Sequence, residues 1–327
     1  MIRKAADTLL RAATHAIMAL LAVTATTSCS QRELCYDHEH WVDVHIDFDW
    51  SKAPDAEPVT MVVYFFPDDE GSRSDHSRSF EFDGRNGGTI RLVAGNYKVV
   101  CFNGGTESLL ERGSGFSDLH LTTEGQDILA PMRGAMMTGA PRPDTGRGEE
   151  VRRAPDRVWA DACESFTVVP AKSGQRVKMT PVEATTRLTV TVEGVENLEP
   201  GITLSAAVTG MAEAMTLSDR LPYGKGSTMP LGLDIMPDGS LYGSIDIFGH
   251  CPETSLQHTL TIYTSNRYYF NFDVTDKIHE AFTQGLHEIN ISIGSITIPK
   301  TDPDTGTGMA PDVDGWDEVV DVFIEMD

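Results

Sequence analysis

The chain has 327 residues, with 26 Lys+Arg against 49 Asp+Glu and a formal net charge of −23. That acidic balance excludes a phosphate-binding surface and a polybasic dock on anionic lipid, so nucleic acid is not an expected partner. A hydrophobic content of 40% excludes wholesale disorder, and 29 Gly with 17 Pro imply many turns and short strands rather than a helical bundle.

Residues 1–28 read as a lipoprotein signal peptide. Arg3, Lys4 and Arg11 form a positive start, and Ala12 to Val23 is apolar apart from Thr14 and His15. Thr26-Thr27-Ser28-Cys29 follows and resembles a bacterial lipobox, with Thr26 where a Leu is usual. Cys29 is then the lipid-attachment residue and the mature N-terminus. No other long apolar run exists, which excludes a multi-span membrane protein. Without residues 1–28 the chain keeps 23 basic and 48 acidic groups. Two or three acyl chains hold such a body stably on a bilayer. The expected place is therefore the outer membrane or cell surface, with the membrane as partner through the N-terminal lipid.

Beyond residue 40 the apolar residues alternate with polar ones. Val42, Val44, Ile46 and Phe48 share one face of a strand whose other face carries Asp43, His45, Asp47 and Asp49. Val59–Phe66 is a more continuous apolar run, closed by Pro67-Asp68-Asp69-Glu70-Gly71. Short strands follow at Ser79–Phe82, Thr89–Val93 and Tyr97–Phe102, separated by Asp83-Gly84, Asn86-Gly87-Gly88 and Gly95-Asn96. Residues 131–157 are rich in Pro, Gly and charge and read as loop, with short strands at its ends. Strands resume at Ser165–Val169, Gln175–Thr180, Thr186–Glu193, Gly201–Thr209, Gly239–Ile247, His258–Thr264 and Tyr268–Val274. Thr275–Gln284 is the local helix candidate, capped by Thr275, with Ile278, Ala281 and Phe282 on one face. Leu286–Ile293 and Ser295–Ile298 return to strand.

No long amphipathic helix separates these strands, so parallel crossovers are not expected. The predicted fold is all-β, two tandem antiparallel β-sandwiches after the signal peptide, over residues 36–165 and 166–327. Four Asp, three Gly and three Pro make Pro299–Gly315 a linker. Trp316–Met326 gives a final strand, with Val320, Val322 and Ile324 on one face and Phe323 on the other. These four residues are candidate interaction residues, because a strand on a linker either pairs within its own domain or is donated to a neighbour's sheet edge.

Cys35, Cys101, Cys163 and Cys251 are widely spaced and form no Cys-x-x-Cys pair, which argues against a metal ribbon or a thioredoxin-type motif. Four cysteines allow three disulfide connectivities, and the sequence does not choose among them. Cys101 lies in an apolar strand and reads as a core residue.

Several fragments in order resemble a lipoprotein domain of unknown function from Bacteroides-type bacteria, related to the fimbrillin-associated minor-fimbrium anchor proteins. They are Ser28-Cys29, Arg32-Glu33-Leu34, Tyr36-Asp37, Ile46-Asp47-Phe48-Asp49-Trp50, Pro67-Asp68-Asp69, Gly95-Asn96-Tyr97, Cys101-Phe102-Asn103 and Asp314-Gly315-Trp316. The resemblance implies tandem transthyretin-like sandwiches behind a lipidated Cys, a role in fimbrial anchoring or adhesion, and fimbrial subunits as partners. The alternative is a surface lipoprotein that binds a glycan or a host protein.

Other constellations read more plainly. Asp37-His38-Glu39-His40, with His45 and Asp47, contains metal-ligand residue types but reads as a solvated lead-in to the first strand. Asp302, Asp304, Asp312 and Asp314 offer oxygen ligands without completing a calcium loop, and read as Asp-Gly turns. Neither assignment makes a metal site or a cofactor. There is no Gly-x-Ser-x-Gly, no His-Glu-x-x-His and no phosphate-cradling loop, so neither an enzyme nor a small-molecule substrate is expected. Tyr263, Tyr268, Tyr269 and Phe270 could stack on a sugar, although at period 2 half of them face a core.

Overall fold

A computed structural model describes residues 40–68, 77–132, 139–170, 174–253, 256–300 and 315–319. The alternating run near residue 42 forms β1 (Trp41–Phe48), and the continuous apolar run forms β2 (Thr60–Pro67). Then come β3 (Arg78–Asp83), β4 (Gly88–Val93) and β5 (Gly95–Gly104), followed by the short pieces β6 (Leu110–Arg112), β7 (His120–Thr122) and β8 (Glu150–Val151). The first sandwich is completed by β9 (Trp159–Val168), β10 (Gln175–Met179) and β11 (Val182–Glu183). Its smaller sheet has the order β10-β1-β4 and its larger sheet β11-β9-β5-β2-β3. Val42, Val44, Ile46, Leu92 and Met179 of the small sheet pack against Met61, Val63, Phe65, Tyr97 and Val99 of the large one. β9 runs through residues 165 and 166, where the sequence suggests a domain border, and β10 still pairs with β1.

The second sandwich uses β12 (Thr186–Val192), β13 (Val195–Glu196), β14 (Leu204–Thr216), β15 (Pro222–Ile235), β16 (Leu241–Ile247), β17 (Thr259–Thr264) and β18 (Tyr268–Asp273). Helix α1 (Thr275–Thr283) follows, then β19 (Glu288–Ile293), β20 (Ile296–Thr297) and β21 (Asp317–Glu318). Its main strand path is β19-β12-β16-β15-β14-β17-β18-β21. Leu188, Val190 and Ile291 on one layer meet Leu204, Val208, Leu260, Ile262 and Phe270 on the other, with Ile278 of α1 closing the end. The architecture is all-β, as expected from the alternation. Among the described residues no helix is long and apolar enough to cross a membrane.

Three local expectations change. Parallel pairing does occur: β10 lies parallel to β1, and β19 parallel to β12. In each sandwich the first strand meets a later one because intervening strands of the opposite layer carry the chain back. Thr275 is the first residue of α1 rather than its cap; the carboxylate of Asp273 accepts its N–H at 3.0 Å and its hydroxyl at 2.6 Å. The strand β15 was hidden by Pro222, Gly224, Gly226, Pro230 and Gly232. It pairs with β14 along one edge, while its other edge meets β8 only at Ser227–Thr228 and β16 only at Asp234–Ile235. Pro230 lies in the gap, where a missing N–H interrupts no second ladder.

The large sheet of the first sandwich is covered on both faces. Its outer side chains Val62, Phe66, Val100, Phe102 and Ala160 form one apolar cluster with Leu121, Ala212, Met215, Leu217 and Phe248. These residues belong to one compact unit that runs from Trp41. Double burial explains why β2 reads as a continuous apolar run rather than an alternating one. At the rim Arg157 lies 3.0 Å from Glu183 and 3.9 Å from Asp246, and Arg220 lies 3.7 Å from Asp161.

The β1–β10 pair ends in a polar clasp. The N–H of Asp49 donates to Met179 O at 2.8 Å, and its carboxylate accepts Ser51 N–H at 3.0 Å and holds Lys178 Nζ at 2.6 Å. The Lys178 contact, helped by Ser51, lowers the Asp49 pKa to about 2. A carboxyl lowered in the fold binds its proton more readily when unfolded. Its contribution is therefore complete above about pH 4 and is lost as pH falls towards 2. Denaturant melts at pH 7 and pH 2.5 should show that Asp49→Asn removes part of the wild-type decline between them. The difference should shrink in high salt, because the pair is solvent-facing.

Candidate functional site

Cys29, Val320, Val322, Phe323 and Ile324 lie outside the described residues, as do Cys35, His38 and the Asp residues at 302–314. The start of the final segment is described. Asp317–Glu318 adds in parallel to Tyr268–Tyr269 at the edge of β18, and Val319 N–H donates to Tyr269 O at 3.0 Å. The Trp316 ring stands edge-on to Tyr263 at 5.7 Å. Tyr263 and Phe270 are fully buried, and Tyr268 and Tyr269 are half-buried against the cores, so these four rings form no exposed stacking platform. Cys101, Cys163 and Cys251 are free thiols, and Cys101 is fully buried. His45 is engaged locally, with Nδ1 3.0 Å from Thr89 Oγ1 and Nε2 3.3 Å from Asp47.

A different set of side chains converges in the second sandwich. β14 carries a bulge between Val208 and Met211, where Gly210 adopts φ +76°. Bulges re-aim the chain and open backbone groups to other partners. Gly210 N–H donates to the Glu149 carboxylate at 3.0 Å, which ties the 139–153 loop to the bulge. Cys251 N–H donates to Gly210 O at 2.9 Å and Ala212 N–H to Gly249 O at 2.9 Å, which holds His250 beside β14. His258 directly precedes β17 and lies under the bulge. His279 comes from the second turn of α1.

His250, His258 and His279 place one ring nitrogen each within 4.8 Å of one another. His258 Nδ1 lies 2.9 Å from Thr209 O. A carbonyl only accepts, so Nδ1 carries the proton and Nε2 keeps its lone pair. That lone pair is 3.2 Å from His279 Nε2. The His250 ring lies 5.8 Å from His258, 5.2 Å from His279 and 4.8 Å from the Phe282 ring, measured between centroids. His250 Nδ1 is buried without a hydrogen-bond partner. His258 is 0% exposed, whereas His250 and His279 are partly open to solvent. Burial lowers the pKa of His250, and it pushes His258 down to about 4, with the neighbouring imidazoles adding to the effect. The buried imidazole is thus neutral near pH 7, the form that donates a lone pair. A Cβ at Gly210 would come within 2.4 Å of His258 Nδ1, so the ring depends on glycine there.

The sequence shows little of this. The three histidines are separated by 8 and 21 positions, sit in a loop, a strand lead-in and a helix, and match no ligand spacing.

A candidate adhesin of Bacteroides ovatus, 17% identical, superposes with a TM-score of 0.57 over 84% of this chain and 99% of its own. A candidate polysaccharide-binding protein of Bacteroides thetaiotaomicron, 9% identical, gives a TM-score of 0.50 over 77% and 90%. The fimbrial anchor protein Mfa2 of Porphyromonas gingivalis, 12% identical, gives 0.48 over 78% and 90%. No curated protein sequence matches the chain. Residues 28–232 match the model of the domain of unknown function DUF5119. That match covers well over half the sequence, and the chain belongs to the DUF5119 family.

Proposed function

We propose that this chain is a lipid-anchored cell-surface protein that anchors or initiates a fimbria. The observation that carries the reading is the fold shared with the candidate adhesin of Bacteroides ovatus, a likeness that covers 99% of that chain. The lipobox-like Thr26-Thr27-Ser28-Cys29 and the resemblance to minor-fimbrium anchor proteins support the anchoring part. Acylated Cys29 would tether the body, and the final segment, with Val320, Val322, Phe323 and Ile324, would meet a fimbrial subunit. The second reading, capture of a glycan or host protein, draws on Ile235, Met236 and Tyr242. These are 50%, 40% and 42% exposed around the turn between β15 and β16.

Cys29→Ser should move the protein from the detergent phase of a membrane extract to the aqueous phase. A variant that stays in the detergent phase would end the lipoprotein reading. Pull-down of the tagged chain from solubilised envelope then separates the two functions. Recovery of one polymeric subunit supports anchoring; recovery of a glycan or host protein without it supports capture.

A further inference from the structure

Three imidazoles from three separate elements converge at the β14 bulge, and their arrangement is that of a partly assembled ligand set. A zinc ion with Zn–N bonds of about 2.0–2.1 Å and tetrahedral angles needs nitrogens about 3.3 Å apart. His258 Nε2 and His279 Nε2 are already 3.2 Å apart, and His250 offers a third nitrogen within 4.8 Å. His250 Nδ1 is buried with no hydrogen bond, a state that buried polar atoms seldom keep. The Thr209 carbonyl fixes the His258 tautomer and aims its Nε2 at the cluster, as outer partners of metal-bound histidines do.

We propose that His250, His258 and His279 bind one divalent transition-metal ion, with zinc as the reference occupant. Three imidazole nitrogens suit zinc, cobalt, nickel or copper rather than calcium or magnesium, which take oxygen ligands. The ion takes the place of the hydrogen bond between His258 and His279; the proton on His279 Nε2 passes through solvent to its Nδ1, and no net charge moves. A fourth, non-protein position stays open on the solvent side, where His250 and His279 are partly exposed. Bound there, the ion staples α1 and the 249–251 segment to the lead-in of β17.

The test uses the untagged mature chain, stripped with a chelator and titrated with zinc by calorimetry and with cobalt by visible absorption. One ion per chain, tetrahedral cobalt bands and a rise in melting temperature are expected. His279→Gln and His250→Gln change partly exposed side chains and should leave the metal-free melt near wild type. Each should weaken binding by at least the 10–100-fold that loss of an outer partner costs a metal site. His38→Gln with His40→Gln should bind as wild type. Absence of saturable binding, binding unchanged in both single variants, or binding lost in the His38/His40 variant would each overturn the proposal.

Discussion

Phe102→Ala should lower stability by about 3–5 kcal/mol, the cost of removing a large ring from a core that cannot collapse around the gap. Phe102 is 2% exposed and stacks on Tyr64 at 6.2 Å with planes 8° apart. It belongs to the apolar cluster in which Val62, Phe66 and Val100 of the first sandwich meet Ala212, Met215 and Leu217 of the second. The loss should therefore be felt by both sandwiches. Calorimetry of the wild type should show one cooperative transition, because separating the sandwiches exposes this cluster to water. Phe65→Ala is the comparison, since Phe65 is fully buried inside the first sandwich alone. Two separate wild-type transitions, neither displaced by Phe102→Ala, would refute the coupling.

Gly210→Ala should cost about 3 kcal/mol although it adds a single methyl group. The backbone at φ +76° lies in the left-handed region, where an L side chain costs about 1–2 kcal/mol. The new Cβ also falls within 2.4 Å of His258 Nδ1, so the ring must move. Moving it breaks the bond to Thr209 O and leaves a buried donor unpaired, another 1–3 kcal/mol or so. Gly174→Ala is the control, because Gly174 also has positive φ but an added Cβ there meets nothing within 4 Å. Urea melts of the two variants should differ by the contact alone. Equal losses would mean that the His258 ring yields freely.

Legibility in the sequence followed local physics. Alternation at Val42, Val44 and Ile46 reports a strand wet on one face, and β1 is that strand. The helix after residue 274 was legible because Ile278 and Ala281 lie on one face, and both are buried. The cover over β2 could be suspected from its unbroken apolar run, but not the identity of Ala212, Met215 and Leu217, which lie about 150 residues further on. β15 escaped because Pro and Gly mark turns, whereas here Pro230 occupies a gap in the ladder. The histidine cluster was invisible for a different reason. Its geometry depends on a bulge at Gly210, and one glycine in a run of small residues carries no sign of the φ it adopts.

The parallel union of β1 with β10 also sets how the first sandwich carries load. Val44 to Phe48 are matched with Gln175 to Met179, and both strands run in the same direction. Tension between Trp41 and the second sandwich draws β1 towards its start and β10 towards its end. The two strands are pulled past each other, so the hydrogen bonds joining them are strained together in shear. A hairpin pulled from its open end would instead lose its bonds one at a time. The rate of forced unfolding is set by the barrier along the pulled direction, not by the equilibrium free energy. The sandwich nearest the N-terminus is thus arranged to resist traction beyond what its modest size suggests.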